Sequence, residues 1–292
     1  MSLIDLILNL AGLLLWLNWR AIDFGAISSP RVSIVSNLKK LNRSPSRWIF
    51  FFILIAVLLV RAVIYWQLGS ALNWVATIPL GPITLAFRSD YFWRIFAYSF
   101  LSFGVVLGLF YLALLLLSVV NARVSDADPL QKLVRLHMGW LERLPVGIRL
   151  LLPMATAMLA WMVLRPLLIY LGLIPGTIPF SQTLEQGALI GLNAYLVWGY
   201  YVVAVLGLYV LNSYIYFGSA PLWNYISQMG RRLTFPLKWL PLQLGRFDFA
   251  PLALIVCIFF ILKGTNYGLQ RILPEIYGPA HQSVQLKLPN HR

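Results

Sequence analysis

The chain predicts an all-α membrane protein with about six transmembrane helices, arranged as three repeated hairpins that each carry a cytoplasmic amphipathic interfacial helix. Three observations carry that expectation. Of 292 residues, 60% are hydrophobic and only 11% charged, against about 25% charged in soluble domains. Apolar runs recur at lengths near the roughly 20 residues that cross a hydrocarbon core, and lipid cannot satisfy backbone polar groups, so such runs must be helices. The cations also fall mainly in alternate connections between those runs.

The first run, residues 3–19, has no cationic leader and no clear small-residue cleavage site, so it reads as a retained helix rather than a removable signal peptide. A basic connection follows, with Arg20, Arg31, Lys39, Lys40, Arg43 and Arg47, before the second run at 48–67. The next connection, 68–94, holds only Arg88 and Arg94 as cations, and its Trp74 and Ile78-Pro79-Leu80-Gly81-Pro82 read as a proline-broken segment that dips into the membrane or covers a partner. The third run is 95–120. Arg123, Lys132, Arg135, Arg143 and Arg149 fill the connection to the fourth run at 150–171. Residues 172–186 carry no cation and contain the similar segment Ile174-Pro175-Gly176-Thr177-Ile178-Pro179-Phe180. After the fifth run, 187–212, come Arg231, Arg232, Lys238 and Arg246, then the sixth run at 248–262 and a polar, basic tail.

By the positive-inside rule the three basic connections are cytoplasmic and both termini lie outside, with Lys263, Arg271, Lys287 and Arg292 running against the trend. Trp48, Trp66, Trp93 and Tyr170 sit near span ends as belt anchors. The net charge of +14 implies a bilayer with anionic lipids as partner, because each basic residue near such a surface is worth about 1 kcal/mol. Nucleic acid is not an expected partner, since no recognition motif accompanies the charge.

A repeat underlies the hairpins. Prolines at Pro30, Pro129 and Pro221 open basic amphipathic stretches that end at Pro45, Pro145 and Pro236. Each copy then crosses an apolar span to a cation, a tyrosine and a glycine: Arg61, Tyr65, Gly69; Arg165, Tyr170, Gly172; Lys263, Tyr267, Gly268. In the third stretch Leu222, Tyr225, Ile226, Met229 and Leu233 share one helix face, and proline suits a helix start because its missing N–H has no partner there. The divisions are 1–69, 70–172, 173–270 and a tail at 271–292.

The third hairpin reads Arg232-Leu233-Thr234-Phe235-Pro236-Leu237, then Leu240-Pro241, then Gly245-Arg246-Phe247-Asp248-Phe249-Ala250-Pro251-Leu252. Together with Pro221 this resembles the signature of the YggT (YlmG) family of small bacterial and plastid membrane proteins. The likeness is specific over 221–252, degraded over 128–153 and faint in the first hairpin, which stands as an additional amino-terminal one. The resemblance implies a multi-pass protein of the bacterial inner membrane, with an accessory role. Family members are linked to osmotic tolerance and ion homeostasis, to cell-division gene neighbourhoods and to assembly in photosynthetic membranes, and no catalytic residue set comes with them. On its own chemistry, Gly245 permits a positive-φ turn, Asp248 is placed to cap the last helix, and Pro251 falls early enough in that helix to be tolerated.

Arg61 and Arg165 are cations inside apolar spans, and intramembrane charge points to function. Two readings stay open: snorkelling to the outer headgroups or bonding to carbonyls, and a pathway for solute, anion or proton. Among the nine acids, Asp5 and Asp248 are placed near helix ends and the rest in connections or the tail, which disfavours a cation-coupled carrier. Cys257 is the lone cysteine, and His137, His281 and His291 form no ligand pair, so no catalytic set, cofactor or metal is expected. The expected function is a non-enzymatic accessory, assembly or scaffolding subunit working on other membrane protein subunits and lipid. A channel or facilitator for ions or small solutes is the alternative.

Overall fold

A computed structural model describes residues 3–25, 47–72, 74–81, 83–121, 134, 137–174, 179–215, 221–237, 239, 243–244 and 247–277. The long helices are α1 (Leu3–Gly25), α2 (Arg47–Leu72), α3 (Phe92–Val120), α4 (Val146–Tyr170), α5 (Phe180–Tyr214) and α7 (Ala250–Tyr277), and α6 (Pro221–Leu233) is a shorter one. All six long helices contain segments long and apolar enough to cross a membrane, so the multi-pass expectation holds. At 35 residues, α5 runs about 52 Å and exceeds a hydrocarbon core of about 30 Å. Their surfaces carry Ile4, Ile7, Leu14, Phe52, Val60, Val163, Leu208, Phe259 and Phe260 exposed, an apolar coat that only lipid or protein can solvate. Trp48, Trp66, Trp93 and Tyr170 are likewise exposed.

The chain is not purely helical. Strands β1 (Val75–Leu80) and β2 (Ile83–Arg88) pair into a hairpin where the sequence predicts an irregular proline-broken segment. The residues themselves explain it. Ala76, Ile78, Leu85 and Phe87 are buried while Val75, Thr77, Thr84, Ala86 and Arg88 are exposed, the two-residue period of a half-buried strand. Pro79 takes an exposed position in β1, and Gly81 at φ +74° provides the left-handed residue that a two-residue hairpin loop requires. A second small hairpin joins β3 (Gln243–Leu244) and β4 (Phe247–Asp248), with Gln243 opposite Asp248 and Leu244 opposite Phe247.

The chain forms two compact units, each drawn from separated stretches of sequence. The first comes from Met1–Pro79, Thr84–Tyr111 and Arg165–Thr177. Its apolar core is Leu54, Leu58 and Phe103, with Leu15, Trp16, Phe100 and Leu107 packed around them. The second comes from Leu80–Ile83, Leu112–Leu164 and Ile178–Arg292. There Trp198 Nε1 donates to the Leu112 carbonyl at 2.9 Å, and Tyr195 Oη to that of Leu150 at 2.7 Å. Gly187 and Gly191, one turn apart on α5, bring that helix against the Met158 and Met154 backbone of α4, the small-residue packing typical of membrane helices.

Candidate functional site

Helix α1 is turned inside out relative to a helix of a soluble protein. Asp5, Asn9 and Gly12 are buried and Trp16 is half-buried, whereas Leu3, Ile4, Leu6, Ile7, Leu10 and Leu14 are exposed. The spacing of four, three and four residues puts the inward set on one helical stripe. Opposite it, α2 presents Leu54, Leu58, Arg61, Ala62 and Tyr65, and α3 presents Ile95, Tyr98, Ser99, Ser102 and Phe103. The polar members of these stripes meet.

Asp5 and Arg61 form an ion pair at 2.8 Å, with neither side chain more than 2% exposed. Arg61 Nη2 also donates to Ser102 Oγ at 3.2 Å and Arg61 Nη1 to Asn9 Oδ1 at 2.7 Å. Asn9 Nδ2 donates to the same Ser102 oxygen at 3.0 Å. Two phenols complete the shell of Asp5: Tyr65 Oη donates to Oδ1 at 2.8 Å and Tyr98 Oη to Oδ2 at 3.0 Å. The Arg61 guanidinium carbon lies 5.4 Å from each tyrosine ring centre, within cation–π range. One turn away, Ser99 Oγ donates to the Leu58 carbonyl at 2.8 Å.

Aromatic rings border one end of this cluster. Trp74 lies 5.3 Å from Tyr65 and 6.0 Å from Tyr98, and Phe87 of β2 lies 5.6 Å from Tyr98. The Trp74 amide donates to the Gly69 carbonyl at 3.0 Å, holding the turn after α2 in place. A carboxylate and a guanidinium, each expensive alone in hydrocarbon at about 3 kcal/mol on insertion scales, thereby become one neutral group with most of its hydrogen bonds made. Chemically it can lock three helices in register, and it holds the carboxylate and phenols a proton would use.

Arg61 therefore does not snorkel to headgroups; its partners are side chains of α1 and α3. Asp5 stands in the first turn of α1, as its sequence position indicates, but is buried inside the bundle. The sequence reading did not connect the two. The available signal was a polar pair at i and i+4, Asp5 and Asn9, within an apolar run, the mark of an inward stripe.

The other repeat cations are placed differently. Arg165 is partly buried on α4, and Tyr170 beside it is 89% exposed. Lys263 and Tyr267 are exposed on α7. The three copies thus share a sequence pattern without sharing an environment.

In the second unit the signature residues build local structure. Pro221 is the first residue of α6, and Tyr225, Ile226 and Met229 face inward while Asn224, Gln228 and Arg231 are exposed. Buried Thr234 ends that helix, its amide and hydroxyl donating to the Gly230 carbonyl at 3.0 and 2.9 Å. Pro236 follows in a 3-10 turn at Phe235–Leu237. Pro241, Gly245 and the Asp248 side chain lie outside the described residues. The last helix starts at Ala250, so Asp248 belongs to β4 and stands one residue before the cap position that the sequence assigns to it, and Pro251 is the second helical residue. Arg232 Nη1 reaches the Val120 carbonyl at 3.4 Å. Of the amphipathic stretches, the first lies outside the described residues, as does the start of the second, where Val134, His137 and Met138 are buried before a 3-10 turn at Gly139–Arg143.

No family model, curated protein or solved structure matches the chain.

Proposed function

We propose that the protein acts without catalysis as an accessory, assembly or scaffolding subunit of a membrane complex, of the YggT type that its third basic segment resembles, working from the bacterial inner membrane with its basic connections cytoplasmic. The observation that carries the reading is the use made of intramembrane charge. Arg61 is neutralised by Asp5 and held at both Nη atoms by side chains of α1 and α3, so the pair ties helices together and offers no net charge to a passing solute. Phe235 and Trp239, within the family-like segment, are 69% and 81% exposed, in keeping with contact through that segment.

Purification from native membranes in mild detergent is the test. A defined complex is expected, and Phe235→Ser with Trp239→Ser should lower the recovered partner several-fold while the unfolding midpoint changes little. A monomer with no stoichiometric partner counts against the proposal.

The second reading is a channel or facilitator, favoured by a charged pair placed within candidate spans. Liposome flux decides it. If Arg61→Ala and Arg165→Ala leave flux unchanged, or if none is present, the pathway reading fails.

A further inference from the structure

The C-terminal end of α3 gathers cations, with no acid paired to them among the described residues. Arg149 is buried, and its Nη1 donates to Ser118 Oγ at 2.8 Å and to the Ser118 carbonyl at 3.2 Å. Both partners are neutral, its Nε has no acceptor, and no carboxylate pairs with it among the described residues. Asn121, one turn beyond Ser118, is fully buried with neither side-chain amide atom hydrogen-bonded. Val120, its neighbour, holds half-buried Arg232. A buried cation without a counter-charge among the described residues and a buried side-chain amide without a partner are both costly.

The helix end itself supplies too little negative charge to explain the gathering. Its dipole amounts to about half an elementary charge, against two guanidinium groups. We propose that Arg149, Arg232 and Asn121 bind a phosphate group, with the guanidinium Nε–H and remaining Nη–H groups and the Asn121 amide as donors. Phosphate suits this set because guanidinium forks match its oxygens in pairs. The chemistry is shared by an anionic phospholipid headgroup and by free phosphate. The proposal rests on the membrane reading alone: a chain soluble without detergent defeats that reading, whereas a failed titration of the detergent-solubilised chain defeats only the site.

The test titrates protein purified in dodecyl maltoside with short-chain phosphatidylglycerol, short-chain phosphatidylcholine, or inorganic phosphate at constant ionic strength, reading the thermal unfolding midpoint. Phosphatidylglycerol should raise it and phosphatidylcholine should not. Arg232→Gln and Asn121→Ala should each weaken the effect about tenfold, and Asn121→Ala should leave the lipid-free midpoint unchanged or higher, because its amide has no partner to lose. A shift with phosphatidylglycerol alone assigns the site to a lipid headgroup, and one with inorganic phosphate too assigns it to free phosphate. Absence of any shift, or shifts that both variants retain, overturns the proposal.

Discussion

Replacing Arg61 by Leu is expected to destabilise the protein by about 3–5 kcal/mol, the usual cost of removing one partner from a buried ion pair. The geometry explains why the loss exceeds that of one hydrogen bond. Asp5 would keep Tyr65 and Tyr98 as donors, but its charge would stand uncompensated, and Asn9 Oδ1 and Ser102 Oγ would each lose a donor. Asp5→Asn should be comparably harmful through the opposite orphan, a buried guanidinium. The double variant Asp5→Leu with Arg61→Leu removes both charges together and should be less damaging than the sum of the single variants, since paired removal of buried ions is often near neutral, with the loss of partners for Tyr65, Tyr98 and Asn9 setting the remaining cost. A double-mutant cycle by detergent-titrated unfolding reads the coupling directly, with more than about 2 kcal/mol expected. Additive single effects would show that the pair is not what holds α1 to α2 and α3.

That pair also marks how far the sequence could be read. The six spans are legible because hydropathy acts locally and the bilayer imposes the same length on each. The ion pair is not, because joining residues 56 positions apart depends on which faces of α1 and α2 meet, and no count along the chain reports that. Asp5 also sits where a helix end is the ordinary assignment for an acid. The β1–β2 hairpin was partly visible: Ala76, Ile78, Leu85 and Phe87 alternate with outward residues on either side of Gly81-Pro82. Pro79 and Pro82 masked it, since proline interrupts a strand unless it occupies an edge or exposed position. Arg149 presents the reverse case. It counts as one loop cation among five in the sequence, and only the Ser118 hydroxyl and carbonyl on α3 reveal that it is buried.

The second large effect is expected at Gly230, where α6 lies on α5. A Cβ built there would overlap the Tyr209 ring, 2.6 Å from both Cδ atoms, and the overlap falls at the Cγ end of the ring, next to the α5 backbone, which cannot yield as a flexible chain end does. Two terms of opposite sign compete in Gly230→Ala. Helix propensity favours alanine by about 1 kcal/mol, while overpacking costs about 1–3 kcal/mol. With the overlap falling on the ring itself, the steric cost should prevail and the unfolding midpoint should drop. Displacing α6 should also pull Arg232 from the Val120 carbonyl and loosen the Asn212–Ser227 bond, now 2.9 Å. In a Tyr209→Ala background, which removes Cγ along with the rest of the ring, the overlap is relieved and only propensity remains, so the same glycine substitution should then stabilise. A change of sign between the two backgrounds identifies the ring contact as the cause, and the same sign in both would rule it out.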